Sequence, residues 1–149
     1  MKEILNYIQM TEMIGTSGQP AREQFNHIAK AQYKSVVNLA MPDSDNAIAD
    51  EGAVVSGLGM QYIHIPVPFD NPTANHLKSF IRIMRALEGE KVWVHCAVNA
   101  RVSAFMYKYL RLEKGYDDVS AKNALLQNWE PKMDAVWKRF MQLATTDIT

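Results

Sequence analysis

The chemistry of this chain is concentrated in one stretch, Lys91-Val92-Trp93-Val94-His95-Cys96-Ala97-Val98-Asn99-Ala100-Arg101-Val102-Ser103-Ala104-Phe105, which holds the protein's one cysteine. A thiol is a nucleophile only as its thiolate, so its surroundings decide what it can do. Val92, Trp93 and Val94 are a β-branched and aromatic run suited to a buried strand. From Ala100 the pattern switches. Phe105, Tyr109 and Leu112 recur at helical spacing with Met106 and Leu110 beside them, so a helix starts just after the loop and buries that stripe. Cys96 therefore sits near a helix N-terminus, where unpaired amides and the helix dipole favour negative charge on a thiolate or on a bound oxyanion. Arg101 adds a planar, permanently charged fork suited to two-point contact with phosphate oxygens.

His95-Cys96, a short loop, Arg101 and the nearby Ser103 resemble the signature of the cysteine-dependent protein tyrosine phosphatases. From about Gly15 to about Tyr109 the chain is similar to small bacterial phosphatase-like proteins of a dual-specificity-like group of largely unknown function, and Ser17-Gly18-Gln19-Pro20 resembles that group's opening. The resemblance implies that Cys96 attacks phosphorus, that Arg101 holds the phosphoryl oxygens, and that an aspartate on an earlier loop protonates the leaving oxygen. Asp70 lies 26 residues before Cys96, in the two-proline loop Pro68-Phe69-Asp70-Asn71-Pro72-Thr73, where the family places that acid. Taken without the resemblance, Asp70 is a turn-forming or capping residue. The loop residues Ala97, Val98, Asn99 and Ala100, with Ser103, would line the substrate, and His95 would tune the cysteine through hydrogen bonds. No metal or cofactor is implied. The expected partner is a phosphorylated protein or small molecule.

The loop differs from the family's usual one. Only four residues separate Cys96 from Arg101, where the family has five, so one amide fewer lines the cradle. Ser103 keeps the family's spacing from the cysteine, while the arginine arrives one residue early, about 100° round any helix already begun. The loop also lacks glycine, and Asn99 is the residue best able to supply a positive φ. A four-residue gap is used by rhodanese-type sulfurtransferases, whose cysteine carries a persulfide and which need no upstream acid. Two alternatives to a phosphatase therefore stand: a sulfurtransferase, and a phosphate-binding domain without turnover.

The remaining residues must position this loop. At 149 residues the chain is expected to form one domain, 1–149, burying about 68–70% of the surface its unfolded form exposes. Hydrophobic residues make up 48% and charged residues 21%, which excludes a disordered chain. Sixteen basic and sixteen acidic residues cancel, so charge gives no reason to propose nucleic acid or an anionic membrane as partner. A single cysteine excludes an internal disulfide framework. No run of about 18 apolar residues marks a transmembrane helix, and the N-terminal residues do not read as a secretory signal, so a cytoplasmic location is the expectation. Oligomeric state has no signal in the sequence.

In chain order, residues 1–12 are weakly patterned and are expected to pack late, if at all. Met13-Ile14-Gly15 reads as a short strand, and Thr16 to Pro20 as a turn whose proline opens a helix. Ala21 to about Ala31 is helical around Phe25 and Ile28, and Lys34 to Ala40 is a core strand. Asp43 and Asp45 are solvated turn acids rather than a metal pair. A helix from about Ile48 to Gly57, a strand over Gln61 to Val67 and a helix from about Ala74 to Leu87 follow. Past Gly115, Asp117 or Asp118 caps the next helix and Pro131 opens the last, with Trp129, Trp137, Phe140 and Leu143 as packing residues. His27, His64 and His76 share no ligand spacing. Strands alternating with helices imply a three-layer α/β/α domain with a mainly parallel central sheet. By resemblance it is of the protein tyrosine phosphatase type, dual-specificity class, with Cys96 at a strand's C-terminal end where such sheets bind ligands.

Overall fold

The structure is a computed structural model covering residues 1–149. Five strands form one sheet: β1 (Ile8–Thr11), β2 (Ile14–Ser17), β3 (Ser35–Asn38), β4 (Gln61–His64) and β5 (Val92–His95), in the order β1-β2-β5-β3-β4. Strands β2, β5, β3 and β4 are parallel, and only the edge strand β1 runs antiparallel, against β2. The helices are α1 (Gln24–Lys30), α2 (Glu51–Gly57), α3 (Ala74–Ala86), α4 (Ala100–Leu112), α5 (Asp118–Ala121), α6 (Ala124–Trp129) and α7 (Ala135–Met141). None is long and apolar enough to cross a membrane.

Alternation along the central strands divides the core in two. Val92 and Val94 of β5 and Val37 of β3 face one side, where they pack with Phe80 and Met84 of α3, Phe105 of α4, and Trp137 and Phe140 of α7. Trp93 and Val36 face the other side and meet Phe25, Ile28, Val55 and Ile4. Both faces of the sheet are therefore covered, as parallel strands require. Trp93 stacks on Tyr7 with ring centres 5.5 Å apart and meets Tyr33 edge-on at 5.1 Å. Its ring lies so close to β2 that a Cβ on Gly15 would come within 2.7 Å of it.

Three local expectations are corrected. Residues 1–12 are built in: Ile8–Thr11 is the edge strand, Ile4 is buried, and the Gly18 amide donates to the Leu5 carbonyl at 2.7 Å. The strand is only four residues long and gains its order from long-range contacts, so it leaves little periodic trace. Thr16 and Ser17 extend β2 instead of starting a turn, and α1 begins only at Gln24, four residues beyond Pro20. Pro131 lies in a 3₁₀ turn, and Asp134 caps α7 by accepting from the Trp137 amide at 2.9 Å.

The register brings the site together. Ser17 and Asn38 both pair with His95, so β2 and β3 end level with β5 and flank the loop that leaves it.

Candidate active site

The loop Cys96–Asn99 leaves the middle strand and turns into α4 at Asn99, whose φ of 72° places it in the left-handed region. Asparagine reaches that region more readily than other side-chain-bearing residues because its short polar chain bonds locally. Its side-chain amide holds the Asn6 carbonyl at 2.8 Å and the Thr16 hydroxyl at 3.2 Å.

Each loop carbonyl is tied to the surrounding protein. Cys96 O faces His95 Nδ1 at 3.1 Å, and Ala97 O accepts from the Gln19 amide and from Asn46 Nδ2, both at 3.0 Å. Val98 O accepts from Asn6 Nδ2 at 2.8 Å, and Asn99 O from the Ser103 hydroxyl at 2.6 Å. Ser103 in turn accepts from Asn123 Nδ2 at 2.8 Å, so its hydroxyl braces the loop. The amides of Ala97, Val98, Asn99, Ala100 and Arg101 donate to no backbone carbonyl. Anchored carbonyls with free amides form a concavity that favours an anion.

Gly18 permits this arrangement, because a Cβ there would lie 2.6 Å from the Ala97 carbonyl oxygen and 3.0 Å from Val98 Cα. Gly18→Ala is expected to displace the loop and to lower stability by about 1–3 kcal/mol, the cost typical of overpacking. Urea denaturation would measure it.

Cys96 is buried at the base of the loop. Arg101, on the first turn of α4, is 7% exposed and donates from Nη1 to the Val67 carbonyl at 2.8 Å, while its Nε is buried without a partner. A buried donor left unpaired costs about 1–3 kcal/mol, which sets this nitrogen apart from the Nη1 that is paired with Val67.

The bond to Val67 also joins Arg101 to the segment that bears Asp70. Phe69 lies with its ring centre 5.7 Å from the guanidinium carbon and packs on Trp129 at 5.8 Å and Trp137 at 5.4 Å. Its carbonyl accepts from Trp137 Nε1 at 2.8 Å. On the far side, Thr73 caps α3 in a reciprocal box with His76. Asp70 is thus an exposed residue on a loop pinned at both ends.

One residue the sequence did not single out stands behind the loop. Glu51, at the start of α2, is buried, and its Oε2 lies 2.5 Å from His95 Nε2, while Oε1 accepts from Gln19 Nε2 at 2.7 Å. No spacing rule links positions 44 apart. The resemblance at Ser17-Gly18-Gln19-Pro20 was the one signal near this network.

Residues 8–142 match the family model described as a DSP-PTPase phosphatase fused to NAD+ kinase. The structure is similar to that of a DUF442 protein from Shewanella putrefaciens CN-32, with a TM-score of 0.84 at 30% identity over 94% of this chain and 91% of that one. TpbA of P. aeruginosa, solved in complex with phosphotyrosine, gives a TM-score of 0.72 at 20% identity over 96% and 86% of the two chains, a likeness of fold. A beta-lactamase hydrolase-like protein of Xylella fastidiosa is 29% identical over an alignment 101 residues long that covers 65% of this chain. The match spans 23% of the length of that curated relative.

Proposed function

The chain belongs to the family of dual-specificity and tyrosine phosphatase-like proteins, and from that premise we propose that it hydrolyses a phosphomonoester through a cysteinyl-phosphate on Cys96. The observation that supports this reading best is the run of loop amides from Ala97 to Arg101 that donate to no backbone carbonyl, ending on an arginine whose buried guanidinium keeps its Nε unpaired. These donors are fixed before any substrate arrives, so stabilising charge on phosphoryl oxygens in the transition state requires no reorganisation.

In this reading the Cys96 thiolate attacks phosphorus as the bond to the leaving oxygen breaks, and Asp70 gives that oxygen its proton. Water then attacks the cysteinyl-phosphate and loses a proton to the Asp70 carboxylate, which releases inorganic phosphate and restores the thiolate. Splitting one displacement into two is the gain from a covalent intermediate. Ala97, Val98, Asn99 and Ala100 contribute backbone amides, Ser103 braces the loop, and His95 holds its first carbonyl. Residues 1–149 act in this reading as one phosphatase-like domain. The substrate is a phosphorylated protein or small molecule. Phosphotyrosine, the ligand of TpbA, makes an aryl phosphate the first probe to use.

Acid quenching during turnover of a radiolabelled aryl phosphate, without added metal, would test the reading directly. Label on the Cys96 peptide supports the covalent route. Release of phosphate without such label, or sulfur transfer from thiosulfate to cyanide in place of phosphate release, would overturn it. Asp70→Asn is expected to lower kcat by about 10²–10⁴-fold for an alkyl phosphate. The loss should shrink for a nitrophenyl phosphate, whose leaving oxygen needs no proton, and equal losses for both would exclude Asp70 as the acid.

A further inference from the structure

Behind the loop lies a buried polar network in which His95 is backed by Glu51, a residue the proposed hydrolysis does not use. Both ring nitrogens of His95 face acceptors: Nδ1 the Cys96 carbonyl at 3.1 Å, and Nε2 the Glu51 carboxylate at 2.5 Å. A neutral imidazole has one N–H and can satisfy only one of them. Glu51 and His95 are 3% and 0% exposed, so neither contact can be exchanged for water. Glu51 is itself aimed by Gln19, whose amide also donates to the Pro20 carbonyl at 3.0 Å. Glu51 is also among the residues that line a pocket of about 150 Å³ with Asn38, Tyr62 and His64.

We propose that Glu51 is a positioning residue of the site: its carboxylate holds His95 as an imidazolium, whose second N–H fixes the Cys96 carbonyl and whose charge favours the Cys96 thiolate. The inference rests on the reading of Cys96 as the nucleophile. Removing the Glu51 charge should move the proton off His95. The pair stays neutral overall, but the member that touches the Cys96 main chain is the positive ring, with Glu51 on the ring's far nitrogen. The other titratable groups facing the pair are Tyr62 and His64 of β4. Tyr62 has its phenol pushed up to about 12, by burial first and by Glu51 beside it. His64 binds the Ala40 carbonyl through Nε2 at 2.7 Å. Helix α1 contributes only the Phe25 ring, edge-on to His95 at 6.2 Å.

The test is the rate of Cys96 alkylation by iodoacetamide against pH, in the wild type and in Glu51→Gln. This substitution is close to isosteric, and its amide can still donate to a neutral His95 and accept from Gln19, so it removes charge while keeping the contacts. The midpoint is expected to rise by about one pH unit, and superimposable profiles would overturn the proposal. If Glu51→Gln does not fold, nitrogen NMR of the wild-type histidines decides the matter: a doubly protonated His95 at neutral pH supports it, and a singly protonated ring overturns it. Neither readout needs turnover, so each remains decisive if the protein hydrolyses no phosphoester.

Discussion

Cys96→Ser is expected to cut phosphate release by on the order of 10⁴-fold or more, the scale on which enzymes feel the loss of a nucleophile. Serine differs from cysteine by one atom and fits the same buried position, so the fold and the cradle survive. What fails is activation. A hydroxyl attacks at neutral pH only when a base removes its proton, and the adjacent histidine is not free for that task. Both His95 nitrogens are engaged, by Glu51 and by the Cys96 carbonyl. The free amides of Ala97 to Arg101 and the Arg101 guanidinium remain, so the variant should still bind phosphate or vanadate. Steady-state phosphate release and calorimetric phosphate binding, measured on both proteins, check the two halves of the prediction. A serine variant that hydrolyses an aryl phosphate within tenfold of the wild type would exclude Cys96 as the nucleophile.

Arg101→Lys should lower kcat by about 10³-fold, near the loss found when an oxyanion donor is removed. Charge is conserved, so the loss isolates geometry. The guanidinium offers two donors in one fixed fork: Nη1 holds the Val67 carbonyl at 2.8 Å, and the buried Nε has no protein partner. An ammonium is a single point of charge and cannot serve a carbonyl and an oxyanion with the same fixed fork. Loosening Val67 should also release the loop that carries Asp70, although Phe69 stays pinned by Trp129 and Trp137. In the wild type, phosphate is expected to raise the melting temperature by mass action, as a ligand of the folded state does. That shift should be reduced in Arg101→Lys and absent in Arg101→Met. An undiminished shift in Arg101→Met would show that the guanidinium does not hold the anion.

The sequence by itself determined the parts of this protein that depend on neighbours along the chain. The β-branched run before His95 and the helical stripe after Ala100 place Cys96 at a strand-to-helix junction, and the structure has β5 and α4 there. The same short-range logic identified Asn99 as the residue to take a positive φ in a loop without glycine, and its φ is 72°. Alternation of strands and helices sufficed for a mainly parallel sheet with both faces covered, because parallel strands need crossovers and the crossovers supply the layers.

The tertiary structure alone decided what surrounds the loop. The pairings of Glu51 with His95, of Arg101 with the Val67 carbonyl, and of Asn6 with Val98 join positions 44, 34 and 92 apart. They meet because β2 and β3 flank β5 in the sheet, an order that no local pattern encodes. The segment 1–12 gave the weakest signal for the same reason. Its four-residue strand and its bonds to the cradle exist only where β2 and the loop are already in place, so they are contacts of the fold and leave little periodic trace in the chain.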